Sequence, residues 1–139
     1  MRFIDSSVFL YAFLKPKRPL PENILRLKES AKRILTRIEE GEEVATTVVH
    51  VSEVANILES YISKAKSIDY IEAILTKQTI HVYDVTPATY TEAVLRAREY
   101  LIGVNDALAL VYMEMLGINE IYSFDKDFDK VKWVKRVHE

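Results

Sequence analysis

Short apolar runs alternate with longer stretches of helical periodicity from one end of the chain to the other. The short runs are Arg2–Ile4, Val44–Thr46, Thr79–Val85, Glu120–Phe124 and Val134–Val137, and their length and near-continuous hydrophobicity predict buried strands. Between them the spacing predicts helices over Ser7–Leu14 and Glu22–Glu40, from a Thr46 or Thr47 cap to Tyr61, over Ala65–Lys77 and from Pro87 to Leu101. A last helix covers the apolar run Ala107–Leu116, headed by Asn105 or Asp106 as its cap. The three prolines of "KPKRPLP" end the first helix, and Gly41, Gly103 and Gly117 interrupt the later ones. Strands alternating with helices predict an α/β fold, a three-layer α/β/α domain around a central, mainly parallel sheet.

Helical spacing also sorts side chains into inner and outer faces. Over Glu22–Glu40 the apolar positions Ile24, Leu27, Ala31, Ile34, Leu35 and Ile38 predict the buried stripe, which leaves Lys28, Lys32, Arg33 and Arg37 on a solvated face. Met113 and Met115 read as core filling, and Tyr11, Phe13, Tyr61 and Tyr70 as core or dimer contacts. The helices around Val51–Ile62 and Ile68–Leu75 carry more apolar surface than one small core needs, which predicts a homodimer.

Composition narrows the class. With 139 residues, 49% of them hydrophobic, and no linker or repeat, the chain predicts one domain over residues 1–139. No apolar run reaches membrane-spanning length and the start lacks a secretory signal pattern, so a cytoplasmic protein is expected. The absence of cysteine removes disulfide, thiolate-metal and Cys-nucleophile chemistry, while His50, His81 and His138 have no zinc-hydrolase spacing. A net charge of −2 gives no global basic field, so a nucleic-acid partner would have to be drawn by local bases or by bound cations.

Candidate chemistry lies in the acids. Asp5 and Asp125 each follow a predicted strand, and in a parallel sheet both fall at the carboxyl edge where ligands bind. Asp106 heads a helix so apolar that its first turn must face an interior cleft. Glu53 has Val49, His50, Asn56 and Ile57 as helical neighbours, and no Lys or Arg occurs between Gly41 and Lys64 to pair with it. In "SFDKDFDKV", Asp127 reads as the cap of a short turn and Asp129 as solvated. Taken singly, each acid also fits a cap, an Asx turn or a surface position.

In combination, "FIDSSVFLYAF", "HVSEVANIL", "NDALALVYMEMLGINEIYS" and "SFDKDFDKV" resemble the PIN-domain family from Arg2 to about Val137. The resemblance implies that Asp5, Glu53, Asp106 and Asp125 form an acidic metal-binding and catalytic quartet, with Asp127 at its rim and Ser7 and Ser123 holding water or orienting a carboxylate. It further implies a divalent-metal-dependent ribonuclease, of the size of the family's VapC-type toxins, which are commonly homodimeric and partnered by an antitoxin. The chemistry agrees: four carboxylates without bases repel, and all-oxygen ligation suits Mg²⁺ or Mn²⁺, ions able to activate water against a phosphodiester. Lys15, Lys17, Arg18, Lys126 and Lys130 are then candidates to track an RNA backbone. A haloacid-dehalogenase-type phosphatase would need an Asp where Ser7 stands, and a receiver domain would need paired acids where Ser6 follows Asp5. The alternative from another class is a catalytically inactive PIN fold serving as a protein- or RNA-binding module.

Overall fold

The protein is described by a computed structural model covering residues 1–138. Five parallel strands, β1 (Arg2–Ile4), β2 (Val44–Thr47), β3 (Ile80–Tyr83), β4 (Glu120–Tyr122) and β5 (Lys135–Val137), form one sheet in the order β3-β2-β1-β4-β5. The helices are α1 (Ser6–Phe13), α2 (Glu22–Glu39), α3 (Val48–Tyr61), α4 (Lys64–Thr76), α5 (Pro87–Tyr100) and α6 (Val104–Leu116), with a 3₁₀ turn over Lys126–Lys130.

Alternation along the strands builds two cores. Phe3, Ala45 and Ile121 stand in register and point into a cluster with α5 and α6, while Ile4, Val44 and Tyr122 point the other way, into a cluster with α1 to α4. The sheet is thus sandwiched between two helical layers, the predicted α/β/α arrangement. The chain builds outward from β1 through β2 to β3, then crosses by way of α5 and α6 to β4 and β5. Neighbouring β1 and β4 therefore flank a topological switch point, where loops leave the sheet in opposite directions and open a crevice.

Several predicted details are corrected. Helix α6 begins at Val104 with Gly103 as its N-cap, so Asp106 lies inside the first turn and is not the cap. Asp5 occupies the N-cap position of α1 but makes no side-chain cap bond. Lys28 is buried rather than solvated: its Nζ donates to the carbonyls of Tyr11 (2.8 Å) and Leu14, supplying donors to the orphan end of α1. Arg37 is half-buried and donates to the Tyr122 hydroxyl at 3.3 Å. Met113 is fully buried as expected, whereas Met115 is 64% exposed on the solvent side of its helix, and Tyr61, 68% exposed, is not part of the core, which leaves its reading as a dimer contact. Helix α5 ends on Leu101 at φ 55, a left-handed turn that aims the following residues at the sheet edge.

Candidate metal centre

Asp5 leaves β1 at the switch point and is almost wholly buried. Its Oδ2 accepts hydrogen bonds from Ser7 Oγ (2.9 Å) and Ser123 Oγ (2.8 Å). Each hydroxyl has a second partner on the opposite strand's loop: Ser7 Oγ accepts from the Phe124 amide at 3.2 Å, and Ser123 Oγ from the Asp125 amide at 3.0 Å. Two serines therefore rivet the end of β1 to the segment after β4, with the Asp5 carboxylate as the shared acceptor. That segment turns on Asp125, whose Oδ1 accepts from the Asp127 amide at 2.9 Å and starts the 3₁₀ turn.

The other acids come from helices. The first turn of α6 delivers Asp106, and carboxylate oxygens of Asp106, Asp125 and Asp127 lie within 4.8 Å of one another. Burial raises the Asp106 pKa to about 8, and Asp5, Asp125 and Glu53 add negative charge that pushes the same way. Burial likewise raises the pKa of Asp5, against the opposing effects of His50 and the two serines. Glu53, on α3, accepts from Ser6 Oγ on one oxygen and from Asn105 Nδ2 (3.3 Å) on the other. Among the described residues, none of the salt bridges reaches Asp5, Glu53, Asp106 or Asp125; in the turn after β4, Asp127 meets Lys130 at 3.3 Å and Asp129 meets Arg136 at 3.0 Å.

A PIN domain family model matches residues 2–134. The chain belongs to the PIN-domain family. Its fold is similar to that of Mycobacterium tuberculosis VapC20, described as a sarcin–ricin-loop-cleaving toxin, with 21% identity, full coverage of both chains and a TM-score of 0.77. It is also similar to VapBC2 of Rickettsia felis, solved with a DNA fragment from its promoter (13% identity, 99% of this chain and 98% of that one, TM-score 0.67). A third similar structure is FitAcB of Neisseria gonorrhoeae, at 17% identity, 98% and 96% coverage and a TM-score of 0.56. No curated protein matches the chain by sequence.

In this PIN domain the carboxylate oxygens that gather within 4.8 Å of one another are those of Asp106, Asp125 and Asp127, while Asp5, which carries Ser7 and Ser123 on its carboxylate, and Glu53 stand outside that group and act on Asp106 through their charge. The donor set fits a hard divalent cation: clustered carboxylate oxygens, an Asp106 pushed up to about 8 by burial and by the neighbouring negative charge, and no salt bridge among the described residues to Asp5, Glu53, Asp106 or Asp125. A cleft of about 300 Å³ opens beside the cluster, lined by Glu53, Tyr90, Gly103, Val104, Asn105 and Asp106.

Sequence reasoning passed over His50, Asn105 and Tyr90. His50 is buried on α3, with Nε2 3.0 Å from the Asn105 carbonyl and Nδ1 2.7 Å from Thr47 Oγ1. A carbonyl can only accept, so Nε2 carries the proton and Nδ1 takes one from the threonine. Burial pushes the imidazole pKa down, favouring that neutral form. The available signal was a histidine between Val49 and Val51 on an otherwise apolar face, which demands a partner elsewhere in the fold. Lys15, Lys17, Arg18, Lys126 and Lys130 are all exposed, and Lys130 also donates to the Leu101 carbonyl at 3.3 Å.

Proposed function

We propose that the protein is a divalent-metal-dependent endoribonuclease and the toxin of a toxin–antitoxin pair. The observation that carries this reading is the set of carboxylates at the switch point of a PIN fold, where burial and the neighbouring acids push Asp106 up to about 8. Asp5, Glu53, Asp106 and Asp125 would hold Mg²⁺ or Mn²⁺, with Asp127 at the rim. Such an ion, when bound, lowers the pKa of a water and neutralises charge developing on a phosphodiester. The chain's own part is positioning. Ser7 and Ser123 fix the Asp5 carboxylate while tying the β4 loop to β1, and the short turn at Asp125 holds its carboxylate beside Asp106. The apo edge is too negative to receive a phosphate chain, and a cation reverses that local field. Lys15, Lys17, Arg18, Lys126 and Lys130 supply exposed positive charge for the flanking RNA backbone.

Partners follow from the same reading. The similarity to structures of toxin–antitoxin complexes supports an antitoxin as partner. A homodimer is supported by the α3/α4 face, where exposed Ile68 and Leu75 border a groove with Ala55 and Ile71. No helix is long and apolar enough to cross a membrane, and a ribonuclease of this kind would act in the cytoplasm.

The test is cleavage of labelled RNA by the purified protein in Mg²⁺, Mn²⁺ or EDTA, with Asp5→Asn alongside. An unstructured oligonucleotide and a sarcin–ricin-loop hairpin, prompted by the fold's likeness to VapC20, serve as substrates. Metal-dependent cleavage abolished by the substitution is the expected result; no metal binding by calorimetry would sink the reading.

A further inference from the structure

Asn105 is tethered beside the acids through both its side chain and its backbone. Tyr90 Oη donates to its Oδ1 at 2.7 Å, His50 Nε2 donates to its main-chain carbonyl at 3.0 Å, and its Nδ2 donates to Glu53 Oε2 at 3.3 Å. An asparagine amide is nearly symmetric in shape, so its neighbours decide which way it points. The carboxylate of Glu53 can only accept, which sets the NH₂ toward it, and the Tyr90 hydroxyl then donates to Oδ1 and holds the amide in that orientation. The reversed amide would set its carbonyl oxygen against Glu53, two acceptors face to face, and would lose the bond to the acid.

Glu53 is gripped on both oxygens from different elements, by Ser6 at the start of α1 and by Asn105 in the first turn of α6. Asn105 is the residue immediately before Asp106. A single helical turn thus carries one acid of the cluster and dictates the rotation of another on α3, while His50 anchors that turn to α3 through the backbone. Tyr90, on α5, touches Glu53 only through this amide among the hydrogen bonds of the described residues. The three side chains line the same cleft.

We propose that Asn105 is a positioning residue for Glu53 and that Tyr90 acts through it, the pair fixing the carboxylate so that it faces a divalent cation together with Asp106. The inference rests on the metal-dependent nuclease reading. Partners that orient a ligand without touching the metal typically change metal affinity or activity by about 10–100-fold when removed.

The experiment is a Mn²⁺ titration by calorimetry on the full chain, on Asn105→Ala, on Tyr90→Phe and on the double variant, followed by cleavage kinetics on single-stranded RNA. Asn105→Ala should weaken Mn²⁺ binding by about tenfold or more, and Tyr90→Phe, which removes one hydroxyl and keeps the ring, by a smaller factor. In the Asn105→Ala background Tyr90→Phe should add nothing. At limiting Mn²⁺ kcat should fall with the KM for RNA unchanged, and excess Mn²⁺ should recover it, a pattern that a purely structural role does not produce. Wild-type Mn²⁺ affinity in Asn105→Ala overturns the inference alone, as does a Tyr90→Phe effect of equal size in both backgrounds. If Asn105→Ala does not fold, unchanged Mn²⁺ affinity in Tyr90→Phe overturns it. A wild-type chain that binds no Mn²⁺ overturns this inference and the nuclease reading together, whereas Mn²⁺ binding that depends on Asn105 without RNA cleavage supports the positioning role and counts against the nuclease reading only.

Discussion

At the N-terminal ends of β1 and β4, Arg2 lies 3.6 Å from Glu42 and 3.3 Å from Glu120, and Lys135 reaches Glu120 at 3.5 Å. The Tyr122 hydroxyl, buried below them, accepts from Arg2 (2.7 Å) and donates to Glu42 (2.6 Å). At the C-terminal ends of the same two strands stand Asp5 and Asp125, joined by Asp106 and Glu53 and by no salt bridge among the described residues. Within one short sheet, the acids around Arg2 meet bases, while at the other edge Asp5, Glu53, Asp106 and Asp125 stand without a salt bridge among the described residues and only Asp127 and Asp129, in the turn that follows, meet Lys130 and Arg136. Charge that is matched contributes to holding the fold together, while charge left unmatched at a buried site weakens the apo fold and persists where a ligand supplies the missing sign. The contrast between the edges, more than any one residue, separates scaffold from site.

The largest effect that could break this contrast comes from Asp106→Asn. Removing that charge should lower RNA cleavage by on the order of a hundredfold to a thousandfold, the loss of a few kcal/mol of transition-state stabilisation. At pH 8 and above the metal-free protein should nevertheless melt at a higher temperature than wild type, since the substitution removes a charge that burial and the neighbouring Asp5, Asp125 and Glu53 disfavour. Cleavage assays and thermal melts in EDTA read the two arms. A variant that loses stability along with activity would show that Asp106 is part of the scaffold.

The pH dependence of stability sharpens the same point. Asp106 holds its proton to about pH 8 in the fold and to about 3.8 in the unfolded chain, and Asp5 is shifted in the same direction. Between those values the folded state binds the proton that the unfolded chain has released, so this contribution is complete below pH 3.8 and is lost as pH rises to about 8. In EDTA the melting temperature should therefore decline across that window once the carboxylates common to both states are accounted for, and Asp106→Asn should flatten the decline. Mg²⁺ or Mn²⁺ at 100 times its Kd, added at pH 8, should restore about 2.7 kcal/mol, roughly 5–10 °C for a domain of this size. A melting curve indifferent to the ion would end the argument for a cation at this edge.

What the sequence made legible follows the same division. Short apolar runs and helical stripes depend on local pattern, and the layers, the parallel sheet and the placement of Asp5 and Asp125 at one edge were all readable from them. What a helix end meets is set by tertiary geometry, and there the reading failed. Lys28 sits at a polar position of α2, and only the short α1, with carbonyls needing donors, draws it inward. Strand β4 stops at Tyr122 and not Phe124, because the Phe124 and Asp125 amides are taken by the Ser7 and Ser123 hydroxyls. The start of α6 was misplaced by the expectation of a side-chain cap, since Gly103 begins the helix without one. That shift of two or three residues leaves Asn105 inside the first turn and against Glu53, a contact across 52 residues of sequence that no spacing rule reveals.

At the compensated edge a smaller, purely structural effect is expected. Tyr122→Phe removes a hydroxyl that accepts from Arg2 and Arg37 and donates to Glu42, and leaves their charges less well satisfied. Urea unfolding should show a loss of about 1–2 kcal/mol, while Mn²⁺ affinity and cleavage stay at the wild-type level. A change in metal affinity would mean that the two edges communicate through β4, and the division between them would fail.

The smallest effect is a salt dependence whose sign should differ between the edges. Raising KCl from 0.1 to 1 M shortens the Debye length from about 10 to about 3 Å, which weakens attraction among the partly exposed charges around Arg2 and also weakens repulsion among the acids of the site. In wild-type protein without divalent ions the two changes oppose each other. Glu120→Gln removes its attractions to Arg2 and Lys135, so salt should then raise the melting temperature more than in wild type. Asp106→Asn removes repulsion, so salt should then lower it relative to wild type. Each shift should correspond to less than about 1 kcal/mol, within reach of melts run in parallel. Displacement of both variants in the same direction would mean that net charge governs the response, and that the arrangement of charge at either edge has no separate thermodynamic consequence.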